Sequence, residues 1–335
     1  MTDKQRIGII GAGSWGTALS VVSARAGHDV SLWARSQEVA ESINKTRINN
    51  RYLNAATIPE SVTATTDLRK AVSNASIVII AAPSHAVREL LTSASPSLSS
   101  SSLIVSGAKG IEIESGRRIS GIVAEIIGQD ALKRFVCLSG PSFAEEVVNG
   151  HPTAVVAASV NDQAAQAVQL TLSFENLRIY TNSDVVGTEL GGAVKNVMAI
   201  AAGMISGLGF GANTLAALIT RGLAEIARLA LVRGAEIETL MGLAGLGDLV
   251  LTCTGKLSRN RFVGEELGKG KPLAEITANM REVAEGIKTT LAVYQLAERA
   301  GLEMPITNEV KAVLYDGKSA RNAVADLMSR PLKEE

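Results

Sequence analysis

The sequence predicts an α/β fold in two parts: a mostly parallel sheet with helices on both faces, then an all-helical second domain. Three observations predict it. Through the first half, short continuously apolar runs alternate with helical patterns, as parallel strands buried on both faces do. The run GAGSWG at Gly11 to Gly16 lies between the first such run and the first helical pattern. After Tyr180 the strand-like runs fade and long helical periodicities take over.

Residues 7–10 read as a short buried strand. Behind Gly16, residues Ala18, Leu19, Val22 and Ala26 recur at helical spacing, and Gly27 supplies a stop. Residues 29–34, 76–82, 103–106 and 135–138 read as further strands. Between the last two, Ile119, Ile122, Val123, Ile126 and Ile127 form an amphipathic helix stripe. The serine-rich stretch 93–102 reads as a solvated loop. In the second half, residues 218–231, 291–300 (stopped by Gly301) and 308–314 read as helices. The boundary falls near Val185, giving a first domain over 1–185 and a helical domain over 186–335.

Composition excludes several classes. The chain has 335 residues, with 33 Lys+Arg balanced by 33 Asp+Glu. At 46% hydrophobic and 20% charged it buries a core rather than staying disordered. No basic excess exists for phosphate-backbone contacts, and aromatics are 3%, so no nucleic-acid partner is expected. Cys137 and Cys253 are too few for a disulfide framework and sit in apolar surroundings, as buried reduced thiols do. His28, His85 and His151 lack metal-ligand spacing, so no metal is expected. A four-residue apolar run after the N-terminal charges is too short for a signal peptide. A reducing cytoplasm is the expected compartment. Residues 196–220 carry no charge and repeat glycine at 203, 207 and 211, which is long enough for a membrane span. The polar residues within it and the GLGFG run favour a buried core helix ending near Gly207, without membrane insertion.

The motifs place chemistry at strand ends. In GAGSWG, Gly11 permits the tight turn, Gly13 lets the backbone approach a diphosphate, and Gly16 lets helix and strand pack closely. The helix N-terminus would face the phosphates, with Ser14 and Trp15 beside the coenzyme. This makes the first domain Rossmann-like. The second strand ends with Arg35 where an NAD site usually carries a carboxylate. Arg35 suits a 2′-phosphate and favours NADPH, while the nearby Glu38 keeps NADH open. His85 is a candidate acid at another strand end, although a loop histidine is more often structural. Lys109 stands between Gly107 and Gly110 after the fourth such strand, and GPSFAEE follows the next. In the second domain Lys195 is the lone charge of a long apolar stretch and needs a partner if buried. Asp248 lies in AGLGDLVLTCTG, and Ser258, Arg259 and Asn260 offer a hydroxyl, a guanidinium and an amide suited to a phosphate.

Together these motifs carry a family resemblance. Over residues 7–318 the chain closely resembles the bacterial NAD(P)-dependent glycerol-3-phosphate dehydrogenases. The resemblance rests on GAGSWGTALS, PSHAV, GAKGIE, SGPSFAEE, GGAVKNVMAI, GFGANTLAALITRGLAE, AGLGDLVLTCTGKLSRN and VAEGIKT, in that order. It implies reduction of dihydroxyacetone phosphate to sn-glycerol 3-phosphate for phospholipid synthesis, with NADPH or NADH, and a homodimer; the preference for NADPH rests on Arg35, a position that varies in the family. It implies Lys195 as general acid/base and Lys109 as a lysine touching both coenzyme and substrate. Gly140, Ser142, Asp248, Ser258, Arg259 and Asn260 match substrate positions. Ala144, Arg259, Val283 and Glu285 match coenzyme positions. Two readings compete: a reductase of 2-keto or 3-hydroxy acids on the same fold, and a dinucleotide-binding module without catalysis. Lys109, Lys195 and Asp248 together argue against the second.

Overall fold

The computed structural model describes residues 3–278, 280, 284–332 and 334. The chain divides into two compact units, Met1–Lys109 with Arg117–Glu189, and Gly110–Gly116 with Leu190–Glu335.

The first unit alternates strand and helix. Its order is β1 (Arg6–Ile10), α1 (Ser14–Arg25), β2 (Asp29–Trp33), α2 (Gln37–Thr46), β3 (Val62–Thr65), α3 (Leu68–Val72), β4 (Ile77–Ile80) and α4 (Val87–Ala94). There follow β5 (Leu103–Ser106), α5 (Ile119–Ile127), β6 (Phe135–Ser139), α6 (Ala144–Val148), β7 (Thr153–Ala158), α7 (Asp162–Leu172) and β8 (Leu177–Asn182). The strands form one sheet in the order β3-β2-β1-β4-β5-β6-β7-β8. All neighbours pair in parallel except β6 with β7. The apolar runs of β1 and β4 are central and buried, which is why they lack polar alternation. The strand order turns back at β1, between β2 and β4, and ligands of such sheets bind beyond the carboxyl ends at that switch point.

Three strands escape the sequence reading. β3 is four residues long, and β8 is an edge strand with alternating exposure, so neither shows a continuous apolar run. β7 (TAVVAA) has small side chains and a weak strand signal. The serine-rich stretch is also less solvated than expected. Ser93 and Ala94 close α4, and Ser102 is fully buried, its hydroxyl donating to the Ala75 carbonyl at 2.6 Å.

Helix α8 (Val185–Gly207) begins in the first unit and continues into the second. The second unit then builds α9 (Ala212–Val232), α10 (Ile237–Met241), α11 (Asp248–Thr254), α12 (Arg259–Gly268) and α13 (Leu273–Ala278). It closes with α14 (Glu285–Ala300), α15 (Pro305–Tyr315) and α16 (Ala320–Met328). α8 is long and apolar enough to cross a membrane, yet 89% of its most apolar stretch is buried inside the protein. Its glycines have a packing role. A Cβ on Gly203 or Gly207 would overlap the carbonyl oxygens of Arg261 or Glu265 on α12. Reciprocally, a Cβ on Gly264 would overlap the Ile200 carbonyl, and one on Gly268 would lie 2.6 Å from that of Met204. Two small-xxx-small stripes thus let α8 and α12 meet backbone to backbone. Gly211, the third of the spaced glycines, has nothing within 4 Å of its Cβ position and plays no part.

Helix propensity alone predicts that Gly264→Ala gains about 1 kcal/mol. The close approach reverses the sign: overpacking should lower unfolding stability by about 2–3 kcal/mol in a urea titration. A variant at least as stable as the parent would show that the two helices separate freely here.

Candidate active site

In the first unit the turn after β1 has the shape its glycines imply. Gly11 adopts φ +117°, and a Cβ there would lie 2.8 Å from the Ala81 carbonyl oxygen after β4. A Cβ on Gly16 would overlap the Gly11 carbonyl oxygen, so α1 packs directly on the turn. At Gly13 a Cβ would meet nothing within 4 Å. The open side of the turn therefore lies where a diphosphate would approach. Gly13 is the N-cap of α1, with no side-chain cap and no acidic residue in the first turn. That leaves the positive end of the helix dipole available to an anion. Ser14 donates its hydroxyl to the Tyr52 carbonyl at 2.7 Å. The Trp15 indole nitrogen is buried with no hydrogen-bond partner among the described residues, packed so that a Cβ on Gly107 would lie 2.8 Å from it. The turn fits a dinucleotide. Arg35 is exposed just past β2, and Glu38 is exposed in the first turn of α2.

At the carboxyl ends of β5 and β6, two predicted residues converge on the carbonyl of a third, Gly140. Lys109 Nζ donates to the Gly140 oxygen at 3.2 Å, and Ser142 Oγ donates to the same oxygen at 2.9 Å. Gly140 has φ +138°, and a Cβ there would lie 2.9 Å from the Val155 Cα on β7. Only glycine fits that position. Ala144 opens α6 beyond this loop. His85 is exposed in a short 3-10 turn after β4.

In the second unit Lys195 is buried on α8. Its Nζ lies 3.0 Å from Asp248 Oδ1 and donates to Thr252 Oγ1 at 2.7 Å. The Thr252 hydroxyl in turn donates to the Asp248 carbonyl at 2.6 Å, so its lone pair faces the ammonium. Burying an ammonium is tolerable only with such a partner set. Local backbone geometry brings the groups together. Residues 243–247 form a single π turn leading into α11, so Asp248 starts the helix and Thr252 lies one turn on. Gly191 precedes Lys195 by a turn, and a Cβ there would lie 2.9 Å from the Ala244 carbonyl oxygen of the π turn. Thr252 was not singled out from the sequence, although its spacing of four from Asp248 is the signal that could have found it.

The Ser258–Asn260 cluster is divided in use. Ser258 caps α12 by accepting from the Arg261 amide at 3.2 Å. Asn260 is buried, donates to Asn196 Oδ1 at 2.9 Å and accepts from the Gly286 amide at 2.9 Å. Only Arg259 of the three is exposed. Glu285 is the first residue of α14, and Val283 lies outside the described residues.

The remaining candidates are structural. His28 is buried, accepting from the Gln5 amide at Nδ1 (3.2 Å) with Nε2 3.0 Å from the Thr171 carbonyl oxygen. That pattern assigns the Nε2–H tautomer. Burial pushes the Cys137 thiol well above its ordinary pKa, and pushes that of Cys253, beside Lys195 and Asp248, up to about 12. Among the described residues no group of three or more His, Cys, Asp or Glu is placed to hold a metal ion.

Residues 6–165 match the N-terminal domain, and residues 184–325 the C-terminal domain, described as those of NAD-dependent glycerol-3-phosphate dehydrogenase. A glycerol-3-phosphate dehydrogenase (NAD(P)+) of Koribacter versatilis is 53% identical over 332 residues, 98% of each chain. The chain belongs to the NAD-dependent glycerol-3-phosphate dehydrogenase family. Another glycerol-3-phosphate dehydrogenase, from Citrifermentans bemidjiense, is 49% identical over 99% of both chains. The crystal structure of glycerol-3-phosphate dehydrogenase from Coxiella burnetii superposes with a TM-score of 0.93 at 41% identity, covering 98% of this chain and 99% of that one.

In this family member both cysteines are buried and their thiols stay protonated, so neither should react as a thiolate. A thiol-reactive dye at pH 8 is expected to find no fast-reacting group in the folded protein and two after unfolding. Rapid labelling of either cysteine in the native state contradicts that placement.

Proposed function

We propose that this chain reduces dihydroxyacetone phosphate to sn-glycerol 3-phosphate with NAD(P)H, reversibly, and so supplies the glycerol backbone of phospholipids. The observation that carries the reading is the buried Lys195–Asp248–Thr252 set in a chain of this family. The two units divide the work, the sheet unit holding the coenzyme and the helical unit the substrate.

The α1 turn would hold the diphosphate of a nicotinamide coenzyme, which would supply the hydride for the ketone carbon. Lys195 meets the negative charge that develops on the ketone oxygen and delivers its proton there. Asp248 and Thr252 hold the ammonium in place, 3.0 Å and 2.7 Å from its nitrogen. Lys109, held on the Gly140 carbonyl with Ser142, serves in this reading as a second cation. Arg259, exposed at the first turn of α12, binds the substrate phosphate, which positions the ketone. Ser258 and Asn260 set the direction of that turn through their internal bonds. Ala144, Val283 and Glu285 are coenzyme positions by the family resemblance alone. Arg35 selects NADPH over NADH through the 2′-phosphate. The protonated, buried thiols suit a reducing cytoplasm. A homodimer is supported by the apolar side chains exposed on α9 and α10: Leu231, Val232, Ile237 and Met241. Light scattering at the mass of one chain would exclude it.

The test is an initial-rate assay of NADPH oxidation with dihydroxyacetone phosphate, run beside NADH and beside unphosphorylated dihydroxyacetone. Turnover that requires the phosphate and is faster with NADPH is expected; a preference for a 2-keto acid overturns the substrate. Lys195→Ala should lose about 10²-fold or more in kcat. Arg259→Ala should instead raise the substrate KM at least about tenfold, the loss of a charge-assisted hydrogen bond. Near-parental kcat in folded Lys195→Ala, or an unchanged KM in Arg259→Ala, removes the corresponding role.

A further inference from the structure

The carbonyl between the first two glycines of the α1 turn is held by a residue far along the chain. Asn49, in the loop after α2, is fully buried. Its Nδ2 donates to the Ala12 carbonyl at 2.9 Å and to Thr17 Oγ1 at 2.8 Å, which uses both amide hydrogens. Its Oδ1 accepts from the Tyr52 amide at 3.3 Å, and the Tyr52 carbonyl accepts from Ser14 Oγ. One short loop therefore holds the turn at Ala12, Ser14 and Thr17. The loop is itself rigid: Arg47 donates to the carbonyls of Ile58 and Val62 at 3.0 Å each, and Leu53 and Ile58 are buried.

The consequence follows from peptide geometry. In a trans peptide the carbonyl and the next amide N–H point opposite ways, and no cis bond occurs among the described residues. An Ala12 carbonyl turned toward Asn49 obliges the Gly13 N–H to point away from it. Left unheld, that peptide could rotate and present a carbonyl oxygen to an incoming anion. We infer that Asn49 is a positioning residue for the coenzyme diphosphate, acting by fixing the Ala12–Gly13 peptide so that the turn presents a donor. The inference rests on the NAD(P)H reading above.

The experiment titrates two ligands by fluorescence or calorimetry: NADPH, and adenosine 2′-phosphate, which lacks the diphosphate. Asn49→Leu removes both donors without adding charge. It is expected to raise the NADPH Kd about tenfold or more, as the loss of buried hydrogen bonds does, while the adenosine 2′-phosphate Kd stays within about twofold. Thr17→Val, which keeps the Ala12 bond, should give the same selectivity at smaller amplitude and serves if Asn49→Leu does not fold. Equal losses for both ligands, or no loss for either, overturn the inference. A parent protein that binds neither ligand overturns the coenzyme reading instead.

Discussion

A charged ammonium inside a helical bundle is the constraint around which the second unit is arranged. Lys195 is buried, and removing one partner from a buried pair costs about 3–5 kcal/mol. Every neighbouring feature serves to bring partners within reach. Gly191 lets α8 meet the π turn, the π turn delivers Asp248 at the start of α11, and the next turn of that helix presents Thr252. On the other side of α8, glycines on two helices remove the side-chain layer altogether, and α12 is drawn in with Asn260 bonded to Asn196. Gly286 continues this, since a Cβ there would lie 2.7 Å from the Asn196 carbonyl oxygen and 2.8 Å from Asn260 Oδ1.

The sheet unit solves the complementary problem, presenting partial positive charge to an anion. It does so with backbone rather than with a lysine, through a helix start that carries no competing carboxylate. Two other helix starts are occupied by a carboxylate instead. Glu189 accepts from the Ser120 amide and hydroxyl at the head of α5, and Glu225 accepts from the amides of Ile306 and Thr307 at the head of α15. Burial raises the pKa of Glu225 despite those donors. The contrast between capped and uncapped helices marks α1 as the one kept for a visitor among these three.

Much of this was legible in the sequence because it depends on local rules. The turn glycines, the buried central strands and the end of α8 at Gly207 all follow from spacing and composition. The lysine's need for a partner was legible too, and Asp248 was among the candidates. What local rules miss is reach. Asn49 serves a turn 37 residues earlier and Thr252 a lysine 57 residues earlier, and only the spacing of Thr252 from Asp248 hints at either. Asn260 reads as a phosphate ligand in the run Ser258–Asn260, and the fold adds bonds to Asn196 and to the Gly286 amide that the run does not announce. Edge strands such as β8 were missed because their apolar residues alternate with exposed ones.

Residues 110–116 belong to the helical unit although Lys109 and Arg117 on either side belong to the sheet unit. The chain therefore passes between units at 109/110, at 116/117 and again at 189/190. No single cut yields two self-contained pieces. A sheet unit excised after its last strand would carry away residues 110–116 of the helical unit, including the buried Ile111. Recombination during evolution, or gene fusion in the laboratory, is thereby steered toward exchanging the two units as a set, and the lineage is expected to diversify by substitution within them rather than by shuffling them.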